Sequence, residues 1–411
     1  MTPPSGGTRR HGLILFSVVL LDMVGFGIVI PILPFIAPKL GASNFDIALI
    51  IGSYSLFAGV VGPFWGKLSD RIGRKPVLMI CTSGAALAYL FLASADELWM
   101  IYGARAFAGL MAGNFGVASA MMADITSPAE RSKGMGMIGA AFGMGLVLGP
   151  VMGGLLSGPE GSFFLPCTLA AAMSVLAVSA AWFFLPESHH PREVDADATV
   201  APRQSMWSLL RGNESRLLML QYVFHTASVG AIGYIFPLWV FALLDWSARE
   251  VGIVFGVIGL IMALSQGLLM GPLVRLLGEL RLLRLCISVF LLGLVVALFA
   301  DGPIAMVGSI IVSLTGATLC MPVLNSFASL RGSPEQLGRM MGAASAAASW
   351  GRVIGPVFAG ALLTVGGFQL AWGLPLAFVM LYWLWAFSRW PERPVPTLAP
   401  APAPAPAQTS T

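Results

Sequence analysis

The fold is decided by the stretch Gly66-Lys67-Leu68-Ser69-Asp70-Arg71-Ile72-Gly73-Arg74-Lys75-Pro76, which carries five charged residues and two glycines. The whole chain of 411 residues is only 10% charged, and long apolar runs flank this stretch on both sides. We therefore expect two apolar helices to meet here in a short charged turn at the rim of an apolar slab.

The composition indicates a membrane protein. The chain is 57% hydrophobic with a mean hydropathy of +0.84, whereas soluble chains carry roughly 25% charged residues. A net charge of only +4 gives no reason to expect a nucleic-acid partner. The four cysteines fall inside apolar runs without metal-type spacing, so we expect buried small residues and no metal site at Cys81, Cys167, Cys286 and Cys320.

Twelve apolar runs are long enough to cross a bilayer, since a core of ~30 Å needs about 20 residues of helix. The predicted spans 1 to 6 are Leu13–Ala37, Ile47–Gly66, Pro76–Ala95, Leu98–Ala123, Gly134–Ser157 and Phe163–Leu185. The predicted spans 7 to 12 are Leu217–Leu243, Val251–Val274, Leu282–Ala300, Ile304–Ser329, Leu337–Val365 and Phe368–Ser388.

These spans divide the chain into two bundles. We expect an N-terminal tail (1–12), a six-helix bundle (13–185), a polar linker (186–215), a second six-helix bundle (216–390) and a disordered Pro/Ala-rich tail (391–411). Placing the N-terminus in the cytoplasm assigns 19 of the 23 lysines and arginines to cytoplasmic segments. The positive-inside rule then predicts that both termini and the charged turn are cytoplasmic.

The two halves repeat each other. Pro31 and Phe35 recur as Pro237 and Phe241 at a shift of 206, and the run from Ser127 to Gly154 recurs from Ser333 at the same shift. The prediction is therefore an all-α membrane protein made of two pseudo-symmetric bundles. Such repeats are typical of transporters, in which the halves rock around a site at their interface.

Three charged residues lie well inside predicted spans. Asp22 is the one acid well inside a span, and Arg105 and Arg352 lie within spans 4 and 11. A charge in the membrane costs several kcal/mol unless it is paired or hydrated, so Asp22 is a candidate for reversible protonation with Arg105 as its possible partner. The alternative is a structural role, with Asp22 hydrogen-bonded to backbone or water and Arg352 snorkelling from a cavity wall.

Other intramembrane polar and aromatic residues predict a substrate cavity, with helix–helix hydrogen bonding as the alternative role. Together with Arg352, the candidates are Phe26, Tyr54, Asn114, His225, Tyr234, Gln266 and Asn325. Span 5 carries a glycine motif that predicts close helix packing with a bend at the proline. Its members are Gly145, Gly149, Pro150, Gly153 and Gly154.

Together these features resemble the major facilitator superfamily, in particular drug:H⁺ antiporters of the twelve-span tetracycline-resistance type. The Gly66–Pro76 stretch is similar to the family's loop 2–3 signature, and the residues from Leu21 to Pro34 are similar to its span 1 motif. Arg105 to Gly109 resembles the span 4 motif, whose arginine is assigned to proton coupling. Gly145 to Gly154 resembles the antiporter motif of span 5.

The resemblance also implies a conformational latch. In that reading Asp70 caps span 11 across the interface between the halves, and Arg74 pairs with Asp124. The implied latch residues are Gly66, Asp70, Arg71, Gly73, Arg74 and Asp124. One departure concerns cargo: tetracycline exporters carry an essential acid in span 9, where this chain has Phe290.

The functional expectation is a proton-coupled antiporter that exports a small amphipathic compound across the inner membrane. The alternatives are a proton-coupled symporter or importer on the same fold, and a membrane sensor that transports nothing. No catalytic constellation or phosphate-binding loop is present, so an enzyme or an ATP-driven pump is not expected. We expect no cofactor beyond the proton gradient, a lipid bilayer as surroundings, and a monomer.

Overall fold

The computed structural model describes residues 6–127, 130–158, 162–188, 213–330 and 334–388. Within these ranges the chain is helical and contains no strand. The helices of the N-terminal half are Gly6–Val29, Leu33–Ile36, Asn44–Ile72, Arg74–Ala93, Leu98–Leu110, Asn114–Ile125, Arg131–Leu156 and Phe164–Phe184, with a 3-10 turn at Ala37–Leu40. Those of the C-terminal half are Asn213–Leu244, Ala248–Leu264, Met270–Leu277, Glu279–Phe299, Pro303–Leu330 and Pro334–Ser388, with a π-helical turn at Ser265–Leu269.

Twelve membrane crossings follow from these helices, which confirms the predicted fold class. Eleven helical segments of the described chain are long and apolar enough to cross a membrane. The last of them, Met340–Ser388, contains two crossings because the backbone leaves the helical region at Gly366 and Gly367. Gly367 has a φ of 68°, which glycine adopts at no steric cost.

Several boundaries differ from the sequence prediction. The helix of span 2 runs from Asn44 through most of the charged stretch to Ile72, so the turn itself is only Gly73 before the next helix begins at Arg74. The first helix begins at Gly6, within the predicted tail, and the proline-rich end of span 1 continues as short helices after Val29. Span 4 is not continuous but consists of Leu98–Leu110 and Asn114–Ile125. Most of the predicted linker and all of the Pro/Ala-rich tail lie outside the described residues.

The two halves meet along two symmetric pairs of helices, span 5 with span 8 and span 11 with span 2. Glycines make this close approach possible. A Cβ at Gly252 of span 8 would lie 2.5 Å from the Pro150 carbonyl oxygen of span 5, and one at Gly52 of span 2 would lie 2.9 Å from Val357 of span 11. Such contacts have no room for a side chain.

The contacts between the halves lie toward the end opposite the charged turn. Gly52, Gly59 and Gly66 follow one another at seven-residue intervals along span 2, so they share one helix face. Gly52 and Gly59 contact span 11, but a Cβ at Gly66 would have no described neighbour within 4 Å. Likewise Gly259 of span 8 packs on Val147, while Gly267 faces open space. Among the described residues the halves therefore diverge toward the charged turn, where the cleft between them opens.

Candidate functional site

The break in span 4 has a specific hydrogen-bond partner in span 2. The turn Met111–Gly113 separates the two helical segments, and the carbonyl oxygen of Leu110 accepts a hydrogen bond of 2.7 Å from the indole Nε1 of Trp65 in span 2. Gly113 sits against the same indole, since a Cβ there would lie 2.7 Å from Trp65 Cγ. A backbone group freed in a membrane must find a partner inside the protein, and Trp65 supplies it.

Asp22, a residue of span 1, lies beside the start of the second helical segment of span 4. Its side chain is 4% exposed, and its Oδ1 accepts a hydrogen bond of 2.7 Å from Nδ2 of Asn114. Asn114 is the first residue of the helix Asn114–Ile125. The N-terminal end of a helix carries a partial positive charge, so the break brings both a donor and a favourable dipole to the one deeply buried acid of span 1.

Arg105 lies one helical segment away, on the other side of the break. Its guanidinium carbon is 4.6 Å from the centroid of the Tyr54 ring, and the Tyr54 ring lies 5.1 Å from that of Phe26. Gly109 allows this approach, because a Cβ there would lie 2.5 Å from the Tyr54 carbonyl oxygen. The cation therefore rests on an aromatic face, an interaction worth about 2 kcal/mol when desolvated.

Asp22 and Arg105 do not form an ion pair in this conformation. The side-chain amide of Asn114 donates to the Asp22 carboxylate. The buried Nε of Arg105 has no hydrogen-bond partner among the described residues. Tyr54 and Tyr89 both lie within electrostatic range of the two charges. The predicted proton-coupling residues therefore lie in one buried region but contact different neighbours, Asn114 for Asp22 and the Tyr54 ring for Arg105.

The span 5 motif connects this region to the other half. Gly145, Gly149 and Gly153 pack on the backbone of span 1, and Gly145 contacts Met23, the residue after Asp22. Gly154 faces the opposite way and contacts the Ala248 carbonyl oxygen of span 8. Span 5 is therefore held against the helix that carries Asp22 and against the partner bundle at the same time.

The charged turn is organised around Arg74. Its Nη1 lies 2.6 Å from Asp70 Oδ1, and its Nε lies 3.2 Å from Asp124 Oδ2. The Arg74–Asp124 pair thus has the partners that the resemblance implied. The cap that Asp70 was expected to form on span 11 involves residues whose side chains are outside the described part of the chain. The Asp70 side chain itself is 58% exposed.

One more latch residue, Gly73, has defined surroundings. Gly73 has a φ of 104° and contacts the Glu187 carboxylate, so only glycine fits there. Glu187 accepts hydrogen bonds from the backbone N–H groups of Arg74 (2.9 Å) and Lys75 (3.1 Å) and so caps span 3. Arg71 is exposed, and Gly66 faces open space.

Two predicted cavity residues are instead buried in packing. His225 is 4% exposed, and its ring meets those of Phe290 and Tyr382 edge-on at 6.0 and 6.4 Å. It therefore lies among spans 7, 9 and 12, not in the cleft. Tyr234 is fully buried, and its hydroxyl donates to the Asn44 carbonyl oxygen (2.6 Å) where the halves meet. In this conformation neither side chain lines the cleft, so the cavity role expected for both residues stays a prediction.

The remaining predicted cavity residues are more accessible. Phe26 and Tyr54 are half-buried beside Arg105, whereas Arg352 is exposed, donates to Ser349 Oγ (2.9 Å) and lies within electrostatic range of Tyr54. Gln266 lies in the π-helical turn of span 8 and Asn325 accepts from Tyr222 (2.8 Å); both are exposed. Asn114, also predicted to line the cavity, is buried and donates its hydrogen bond to Asp22.

Sequence reasoning missed Trp65 and Tyr89, and it gave no capping role to Glu187, although the stretch Leu185–His189 fits the family resemblance. The signal for Trp65 was its place one residue before the charged turn, together with the glycines around position 111 that weaken span 4. Glu187 follows the last apolar residues of span 6, and its position in the sequence gives no sign that it caps span 3, which lies more than 100 residues earlier in the chain. Among the described residues no group of three or more His, Cys, Asp or Glu side chains is placed to hold a metal.

Two related bundles of six membrane-crossing helices around a shared cleft define a membrane transporter, not an enzyme. The chain belongs to the Major Facilitator Superfamily, whose model matches residues 15–344 and 218–410, and it groups with the tetracycline-resistance-like members.

Relatives and a solved structure agree with this placement. The chain is 32% identical over 361 residues to the class E tetracycline resistance protein of Escherichia coli, covering 85% of this chain and 87% of that one. It is 30% identical over 358 residues to the class C protein of Escherichia coli, with coverage of 85% and 89%. The crystal structure of the human organic anion transporter MFSD10 (TETRAN) superposes with a TM-score of 0.71 at 23% identity, over 94% of this chain and 100% of that one.

Proposed function

We propose that this protein is a proton-driven efflux antiporter of the inner membrane, with both termini in the cytoplasm. It exports a small amphipathic compound in exchange for protons and alternates between a cleft open to one side and a cleft open to the other. With the charged turn on the cytoplasmic side, the described conformation is inward-facing. The driving force is the proton gradient, with no further cofactor, and one chain is the working unit.

The observation that carries the proposal is the setting of Asp22. A carboxylate that is 4% exposed inside the membrane is costly when charged, and here one amide donor and a helix N-terminus offset that cost. Such a group is charged in one conformation and neutral in another when its partners move. Because span 5 packs on span 1 beside Asp22 and on span 8 of the other half, a change in the angle between the halves reaches this acid.

The cleft favours neutral or anionic cargo. Arg352 places an exposed cation in the cleft near Tyr54, and Phe290, which stands where tetracycline exporters have an acid, is fully buried against His225. At 23% identity the organic anion transporter shows only the fold, so the inferred preference rests on Arg352 and Phe290. A cationic magnesium–tetracycline complex would find no acid in span 9.

The test uses purified protein in liposomes with an acidic interior and a pH-sensitive dye inside. A thermal-shift screen against drugs, siderophores and metabolites first selects a binding compound, with magnesium–tetracycline as the cationic reference. Addition of the selected compound should dissipate the proton gradient, and Asp22→Asn should abolish this exchange. The control is Asp46→Asn, because Asp46 lies in the first turn of span 2, where it belongs to the capping box of Ser43 and accepts a hydrogen bond from Tyr102.

The second candidate is a proton symporter on the same fold. It predicts the opposite gradient dependence, with uptake that rises when the outside is acidic. The span 5 motif and its contacts with both halves favour antiport. Exchange that persists in Asp22→Asn would contradict the mechanism. Export of magnesium–tetracycline that requires Asp22 would contradict the proposed class of cargo.

A further inference from the structure

A groove of about 600 Å³ runs along the outside of the N-terminal bundle, away from the cleft. It is formed by spans 3, 4 and 6, which pack chiefly against other helices of their own half. We call it the membrane-facing groove. Its wall includes Lys75, Ile80 and Leu87 of span 3, Phe107 and Met111 of span 4, and Trp182 of span 6.

The chemistry of the groove changes along its length. Ile80 and Leu87 are 45% and 59% exposed, which is the surface an apolar chain would cover. At the end next to the charged turn, the Lys75 ammonium donates to the Trp182 carbonyl oxygen (2.8 Å) and lies 6.0 Å from the indole centroid. An ammonium has three donors, so further donors remain for a second acceptor. The groove is therefore apolar over most of its length and cationic at one end.

Its dimensions fit one lipid tail. Lys75 and Leu87 are twelve residues apart on one helix, which corresponds to about 18 Å at 1.5 Å per residue. Half of the hydrocarbon core of a bilayer is ~15 Å thick. A Lys beside an interfacial Trp at the membrane surface is where a phospholipid phosphate lies, while its chain extends toward the bilayer centre.

We propose that the membrane-facing groove binds one anionic phospholipid, with the headgroup phosphate at Lys75 and an acyl chain against Met111. Anionic lipid is specified by charge complementarity with Lys75. The chain end reaches the turn Met111–Gly113, whose next residue, Asn114, holds Asp22. Met111 itself packs into Gly84 of span 3. The bound lipid thus supports the break in span 4 from the membrane side, as Trp65 does from span 2.

The binding experiment is native mass spectrometry of the purified full chain. The probes are phosphatidylglycerol and phosphatidylcholine with identical chains, supplied in equal amounts. The wild type should retain one phosphatidylglycerol in preference to phosphatidylcholine. Lys75→Gln should lower that retention about fivefold, which corresponds to ~1 kcal/mol for one basic residue near a lipid headgroup.

A second variant blocks the groove without touching the charge. Ser83→Phe places a ring in the groove from an exposed position and should displace both lipids. The matched controls are Lys133→Gln, an exposed cation at the same end, and Ala172→Phe, an exposed position of span 6 that does not line the groove. Both should leave lipid retention unchanged.

The proposal is overturned if the wild type shows no preference for phosphatidylglycerol, or if both groove variants retain it as the wild type does. If Lys75→Gln does not fold, Lys75→Arg should keep the preference and Ser83→Phe still decides. A parallel transport assay in vesicles with and without phosphatidylglycerol rests on the proposed function. The lipid-retention experiment does not rest on the proposed function, so its result can be interpreted even if no antiport is observed.

Discussion

Phe35 and Phe241 occupy equivalent positions of the two halves, 206 residues apart, and their rings touch each other with centroids 5.6 Å apart at 88°. Two equivalent residues that meet in this way place the pseudo-two-fold axis between them. The contact lies at the end where the halves are joined. The halves are therefore free to change their angle at the opposite end while this aromatic pair stays together.

The break in span 4 depends on one indole N–H. Trp65→Phe keeps the ring but leaves the Leu110 carbonyl oxygen without its donor, which costs about 1–3 kcal/mol for a buried acceptor. We expect a lower melting temperature in detergent and slower transport. Trp99→Phe is the control, since that exposed indole donates only to Glu97. Equal losses in both variants would mean that the break does not rely on Trp65.

The span 5 motif should tolerate no side chain on its packed face. A Cβ at Gly149 would lie 2.6 Å from Gly27 Cα, so Gly149→Ala must push spans 1 and 5 apart at a cost of about 1–3 kcal/mol. Gly143→Ala, on the same helix but facing open space, should be nearly neutral. Thermal unfolding and proton-coupled flux measure both effects. If Gly143→Ala lowered stability and flux while Gly149→Ala lowered neither, the assignment of the packed face of span 5 would be wrong.

The glycines on one face of span 2 should control which conformation is populated. Gly52→Leu collides with Val357 and should disfavour the described conformation, whereas Gly66→Leu is accommodated there and should obstruct closure of the cleft. Spin labels at Lys67→Cys and Arg275→Cys report the distance across the opening, because both positions are exposed and the four native cysteines are buried.

The expected result is a longer mean distance in Gly66→Leu and a shorter one in Gly52→Leu. Gly308→Leu, another position with open space around it, should leave the distribution unchanged. Identical distributions in all three variants would show that span 2 does not limit the closure.

The cap on span 3 should contribute measurable stability. Glu187→Ala removes the acceptor of the Arg74 and Lys75 backbone N–H groups and should cost about 1 kcal/mol. Glu187→Gln keeps an acceptor oxygen and should lose less, and exposed Asp96→Ala should lose nothing. Chemical or thermal unfolding in detergent measures the series. A Glu187→Ala protein as stable as the wild type would exclude the cap.

The fold was predictable from the sequence because membrane spans have a strong signal: length and apolarity set the twelve crossings, and the shift of 206 set the two bundles. The depth of Asp22 was predictable for the same reason, since a single acid in an apolar run must be buried. Its partner was not. Asn114 reaches Asp22 from the first residue after the interruption of span 4, where Trp65 of another helix donates to the Leu110 carbonyl oxygen.

The cavity residues were the least predictable part. Polarity inside a span marks a residue as unsuited to lipid, but it does not tell whether the residue faces the cleft or a neighbouring helix. His225 and Arg352 both met the sequence criterion, yet one packs among spans 9 and 12 and the other is exposed. Only the angular position of each helix in its bundle separates the two cases.

Span 2 connects span 11 of the other half with both segments of span 4. One face holds the glycines that meet span 11, and the same helix supplies Tyr54 to Arg105 and Trp65 to the break beside Asp22. In the proposed exchange, a change in the angle between the bundles that cargo drives alters the surroundings of Asp22 through span 2, and protonation of Asp22 changes that angle in return. We therefore expect the efficiency of exchange to depend on the stiffness of this helix, since a flexible span 2 would let protons pass without moving cargo.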